Sequence, residues 1–185
     1  MHPTWSVYYR GGTLAEPNDP RFALPLAQKG GLGAAYFNTA IDEFYEANHL
    51  AVKEALVQFD HFYREIAKYP NQIGVATNAD QVRALRREGK TAAILAVEGA
   101  LAIESDLGVL RMFHRLGLRE MNLVHLLGNN IGDVGSSQEN DGKGYGLSEY
   151  GRELVAEMNR LGILIDLSHA GEQTILDVME VSTQP

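Results

Sequence analysis

The sequence predicts an α/β fold in which helix–strand units repeat around a parallel sheet, as in part of a (β/α)8 TIM-type barrel. Three observations carry that expectation. Amphipathic helical patterns end three times on a glycine followed by a short apolar run: Gly89 before Ala92–Val97, Gly117 before Glu120–Val124, and Gly162 before Ile163–Leu167. Glycine suits the position just past a helix because the backbone turns left-handed there, and a near-unbroken apolar run suits a strand covered on both faces. The step is regular, 28 residues from Gly89 to Gly117, and eight such units need about 225 residues or more. A chain of 185 residues therefore has room for roughly five or six of them, short of a closed barrel. Finally, each run leads to a titratable or metal-competent side chain: Glu98, His125 and His169. Parallel β/α barrels carry their chemistry at the C-terminal ends of the strands.

Composition limits the alternatives. Apolar residues make up 45% and charged residues 22%, the balance of a globular chain, and the length suggests a single domain over 1–185. The formal charge of −8 argues against a nucleic-acid partner, which selects basic faces. No apolar run reaches the roughly 18 residues of a membrane span, and no charged-then-apolar leader opens the chain. A cytoplasmic protein without membrane contact is the expectation. Cysteine is absent, so any zinc site must be built from imidazole and carboxylate.

In chain order, residues 1–29 are expected to be irregular, with Pro3, Pro17, Pro20, Pro25 and the Gly11-Gly12 pair. Gly33–Asn38 is a short strand after a GGLG turn. Residues 43–69 form one long helix, stopped where Tyr69 meets Pro70; His49 and His61 are solvated or packed positions on it. Ile73–Ala76 is a short strand. Asn78 or Thr77 caps a helix over 79–88, with Asp80 in its first turn. Ser105 caps a helix over 106–116 that contains His114, expected to be structural or exposed. The loop 127–147, rich in Gly, Asn, Asp and Ser, is long enough to line a site. Leu154, Val155, Met158 and Leu161 then mark one face of a helix ending at Gly162.

Alternation along strands groups Glu98 with Ala96 and Ile94, His125 with Leu123 and Met121, and His169 with Leu167 and Ile165. If those apolar partners fill the barrel, all three polar groups point into its mouth. Any one of them alone reads as a satisfied polar group at a strand end; three in register point to a site, because an unpaired Glu is costly at the end of a buried strand. Asp166 has the opposite parity and is expected to face the helices, either supporting a metal-bound imidazole or making a structural hydrogen bond. Within the loop, Asn129, Asn130 and Asp133 are the residues placed to touch a substrate, a polar turn being nearly as good an account of Asn130.

The run YGLSEYGRELVAEMNRLGILIDLSH, with AVEGA and NLVHLLGNNIGD upstream, resembles the membrane (renal) dipeptidase family of zinc peptidases, from about Ala34 to the C-terminus. The resemblance implies a (β/α)8 barrel of the metal-dependent hydrolase (amidohydrolase-like) kind holding two zinc ions. It implies that Glu98 is the bridging carboxylate, that His169 binds one zinc, and that catalytic His125 contacts substrate and the developing oxyanion. Asp133, with Asn129, falls in the loop where the family meets substrate. The family's His-x-Asp on a first strand has no counterpart in this sequence, and its further zinc histidine would lie past Pro185. The resemblance therefore implies an inner segment of the enzyme, with an incomplete metal site and neither barrel-closing end. The implied function is a zinc-dependent dipeptidase that cleaves dipeptides with metal-activated water; the alternative is a non-catalytic remnant of such a barrel. Exposed barrel edges would favour self-association, such as a homodimer.

Overall fold

The computed structural model describes residues 3–16, 18, 22–41, 43–126, 128–135 and 144–184, apart from the side chains of 3–6 and 43. The chain divides into two compact units, Met1–Ala40 with Lys53–Ala96, and Ile41–Val52 with Val97–Pro185.

The first unit contains α1 (Pro3–Arg10), α2 (Leu24–Lys29) and β1 (Ala34–Ala40). The expected irregular segment 1–29 is thus partly helical. Pro3 and Pro25 sit at helix starts, where proline's fixed φ helps and its missing N–H is not needed. The unit continues through most of α4 (Ala51–Ala67), then β2 (Ile73–Val75), α5 (Ala79–Arg87) and most of β3 (Thr91–Glu98). The pairing of β2 with β3 is parallel, with Ile73 opposite Thr91 and Val75 opposite Ala93. Asn78, rather than Thr77, caps α5 by accepting from Gln81 N–H at 2.9 Å. The core is aromatic: Phe37 packs edge-to-face on Phe22 and on Phe62, with ring centroids 5.5 and 5.7 Å apart. Buried Gln58 clasps the end of β1, donating to Ala40 O at 3.0 Å and accepting from Ala40 N–H at 3.2 Å.

The second unit holds α3 (Glu43–Ala47), a 3₁₀ turn (Ala100–Ile103), α6 (Leu107–Arg115), β4 (Leu118–Asn122), α7 (Glu149–Leu161), β5 (Leu164–Asp166) and α8 (Glu172–Val181). β4 and β5 pair in parallel, Glu120 opposite Leu164 and Asn122 opposite Asp166. The single helix expected over 43–69 is two helices. His49 turns left-handed at φ 54°, and the carboxylate of Glu104 accepts from Ala51 N–H at 2.8 Å and Val52 N–H at 3.3 Å. A side chain some fifty residues away thereby caps α4. At α6 the cap is Asp106, which accepts from Gly108 N–H at 2.6 Å. Ser105, the expected cap, is left-handed at φ 57°.

Gly89, Gly117 and Gly162 all have positive φ (75°, 106° and 70°), as their place after helices requires. Gly151 is needed for a different reason: a Cβ there would overlap the Ile131 carbonyl oxygen, so α7 packs directly on the loop backbone. No helix among the described residues is long and apolar enough to cross a membrane.

Candidate metal centre

All three expected site residues lie in the second unit, and they meet. Glu98 is the last residue of β3 and only 6% exposed. Gly99 then turns the chain at φ 91°, and a Cβ on it would come within 3.3 Å of the His125 Cβ. His125 follows buried Leu123 and Val124, and His169 follows the end of β5. The Oε1 of Glu98 is 3.5 Å from His125 Nε2 and 3.6 Å from His169 Nε2. The two imidazoles meet edge-to-face with centroids 4.8 Å apart. Each residue offers a donor atom within 4.8 Å of the others.

This donor set fits a small divalent cation. Ligands on one tetrahedral zinc, each bonded at about 2.0–2.1 Å, are roughly 3.3 Å apart, close to the two measured Glu–His separations. One carboxylate and two imidazoles also make the three protein ligands of a catalytic zinc.

The route by which the histidines arrive differs from strand alternation. β4 ends at Asn122 and β5 at Asp166, so both histidines stand three residues beyond a strand. A turn delivers His169: Ser168 N–H donates to Asp166 Oδ1 at 2.8 Å, and His169 itself is left-handed at φ 70°. Asp166 makes a structural hydrogen bond, one of the two roles expected of it. It pairs in register with buried Asn122, hydrogen-bonds to the carboxyl of Glu120, and makes the structural turn bond to Ser168.

Glu120 is the member that sequence reasoning missed. Burial pushes its carboxyl up to about 8, helped by the charge and hydrogen bond of Asp166 and by the charge of Glu98. The signal was present as a lone acid in the middle of the buried strand LREMN.

A cavity of about 250 Å³ adjoins the cluster, lined by His125, Leu126, Val134, Gly135, His169 and Ala170. Apart from the two imidazoles its side chains are apolar and its walls are small.

Of the expected site loop 127–147, residues 127 and 136–143 lie outside the described residues. Asn129 is not in the donor cluster: it donates to Leu123 O at 2.9 Å and accepts from Ile131 and Gly132 N–H at 2.9 and 3.2 Å. Asn130 donates to Ser105 Oγ at 2.7 Å. Asp133 is 1% exposed and its carboxylate is committed to Thr174 Oγ1 and to Gly146 N–H. These side chains hold the loop together, as a buried turn must satisfy its backbone groups. His49, His61 and His114 stay out of the cluster. Burial lowers the pKa of His61, and burial with Arg119 and Arg160 lowers that of His114.

Comparison with known proteins gives a consistent pattern. The membrane dipeptidase (peptidase family M19) model matches residues 13–185. Dipeptidase tcpJ of Claviceps purpurea is 33% identical over 164 residues, covering 85% of this chain and 38% of its own length. A metallopeptidase from Rhodobacter sphaeroides, crystallised with a phosphinate mimic of the dipeptide L-Ala-D-Ala, superposes with a TM-score of 0.80 at 27% identity, covering 97% of this chain and 57% of that one. An amidohydrolase from Pseudomonas aeruginosa gives a TM-score of 0.75 at 28% identity, over 88% and 46% of the two chains. This chain spans about 38–40% of the length of the curated relatives it matches.

Proposed function

We propose, from the premise that this chain belongs to the membrane dipeptidase family (peptidase family M19), that Glu98, His125 and His169 hold a zinc ion and that the site serves hydrolysis of dipeptides. The observation that carries the reading is the convergence of one buried carboxylate and two imidazoles within 4.8 Å. Zinc held there would supply a Lewis acid for the scissile carbonyl and lower the pKa of water enough to make a nucleophile near neutral pH.

The residues divide the remaining work. Glu98 brings the anionic charge that anchors a dication, and its burial at the end of β3 fixes the direction of its Oε1. His169 offers an imidazole nitrogen to the ion. His125 is about one-quarter exposed, borders the cavity and lies beside Glu98, so its Nε2 can serve either as a third ligand or as a hydrogen-bond donor to a carbonyl oxygen gaining negative charge. The small apolar walls formed by Val134, Gly135 and Ala170 suit a short apolar side chain, in keeping with an alanyl dipeptide mimic on a relative. Among the described residues this is the one converging group of three or more such donors, and it accounts for one ion rather than the pair that the family resemblance implies.

The test is zinc binding followed by turnover. The chain is expected to bind one zinc, and Glu98→Gln to weaken that binding by more than roughly 100-fold, since an amide oxygen brings no charge to the ion. Release of free amino acids from L-Ala-D-Ala, if the ion and cavity suffice for catalysis, is expected to stop with chelator and with Glu98→Gln. Zinc binding with no turnover would favour the non-catalytic alternative. Wild-type zinc affinity in Glu98→Gln would remove the basis of both.

A further inference from the structure

We infer that Asp133 is a positioning residue for His169, fixing that imidazole toward the metal without touching metal or substrate. The inference rests on the metal reading of the Glu98–His125–His169 cluster and adds a residue to its support. His169 is one of four described non-glycine residues with positive φ, at 70°. A non-glycine side chain holds that conformation where its surroundings over-determine it.

Those surroundings are a short antiparallel ladder. Val134 and Ala170 form an isolated bridge, Gly135 N–H donates to His169 O at 2.8 Å, and Gly171 N–H donates to Asp133 O at 2.9 Å. Residues 133–135 thus run beside 169–171, with a hydrogen bond on either side of Ala170. Asp133 anchors the ladder at the end where α8 begins. Its N–H donates to Thr174 Oγ1 at 3.0 Å, the Thr174 hydroxyl donates back to its carboxylate, and the same carboxylate accepts from Gly146 N–H at 3.2 Å. One buried side chain therefore ties together the outgoing loop, the returning loop and the first turn of α8.

Sequence choices around it agree. A Cβ at Gly171 would stand 2.5 Å from the Asp133 carboxylate, and one at Gly144 would overlap it as well. Gly171 is extended at φ −67°, so it is space for this carboxylate, not left-handed backbone, that calls for glycine there. The carboxylate also lies at the N-terminal end of α8, where negative charge is favoured. Groups that orient a metal ligand typically change metal affinity by about 10- to 100-fold when removed.

The experiment measures zinc affinity of the full chain by competition with a chelating dye, together with the visible spectrum of the cobalt-substituted protein and a thermal unfolding curve. Asp133→Ala is expected to bind zinc roughly 10- to 100-fold more weakly and to alter the cobalt spectrum. Asp133→Asn, whose amide oxygen still accepts from Thr174 and Gly146, is expected to stay within about fivefold of wild type. If Asp133→Ala does not fold, Thr174→Val, which deletes only the hydroxyl of the clamp, decides in its place with a weakening in the same direction. Phe37→Ala, in the other unit, is the control for lost stability without lost zinc affinity. Unchanged affinity and cobalt spectrum in the folded Asp133→Ala or Thr174→Val protein would overturn the positioning role alone. A wild-type chain that binds no zinc would overturn the metal reading and this role with it.

Discussion

Two strand pairs share one backbone geometry and differ in what they bury. In the first unit β2 and β3 align Ile73, Gly74 and Val75 with Thr91, Ala92 and Ala93, and the close approach of Gly74 to Leu85 seats α5 on β2. In the second unit β4 and β5 align Glu120, Met121 and Asn122 with Leu164, Ile165 and Asp166. The parallel pairing satisfies the backbone equally in both. Polar burial in the first pair is confined to Thr91 and the terminal Glu98, whereas β4 buries both Glu120 and Asn122; buried polar groups are costly unless something repays them. The difference separates a region selected for packing from one selected for chemistry.

Three substitutions test that separation. The largest expected effect is in the packing region. Phe37→Ala removes a ring that is 1% exposed and in edge-to-face contact with two others, so it should lower unfolding free energy by about 3–5 kcal/mol. Urea unfolding measures the loss, and zinc affinity per folded molecule should stay as in wild type. A parallel loss of zinc affinity would show that the two regions are not separable.

Next comes Glu120, in the chemical region. Its folded pKa of about 8 is raised above the ordinary 4.5, so the fold prefers the neutral acid. The associated stability is therefore full below about pH 4.5 and drains away as pH rises toward 8. Glu120→Gln keeps the neutral shape at every pH. At pH 8 the metal-free variant should be more stable than wild type by on the order of 2–4 kcal/mol, with little difference at pH 4.5. Histidine titration is common to both proteins and cancels in the comparison. Superimposable pH profiles would show that Glu120 is not stored in its neutral form.

The smallest effect belongs to the surface. Glu157 hydrogen-bonds to Arg160 and Arg111, which hold its carboxyl down at about 2. Both arginines are largely in solvent, so Glu157→Gln should cost less than about 1 kcal/mol at pH 7. The cost should fade as pH drops through the range from 4.5 toward 2, because wild type then loses the charge as well. An effect as large as that of Phe37→Ala would mean that this pair is structural after all.

Much of the fold was legible in local pattern. Gly89, Gly117 and Gly162 marked helix ends because left-handed backbone has a strong residue preference. Glu98, His125 and His169 were legible as a group because each follows an apolar run after such a glycine. What misled was extending strand alternation beyond the strands. β4 and β5 are short, and the two residues between each strand and its histidine lie outside the strand, their direction set by hydrogen bonds rather than by a two-residue period. The break between α3 and α4 was hidden for a related reason: Glu104, which caps α4, is remote in sequence.

The sequence by itself determined which residue types reach the strand ends, where helices stop, and which family the motif resembles, since these depend on near neighbours along the chain. Tertiary structure alone decided that the three donors converge, that Asp166 comes to bear on Glu120, and that the Asp133 carboxylate meets Thr174. Those outcomes depend on strand register and on loops folded against distant segments, and contacts of that range leave no period in the sequence to read.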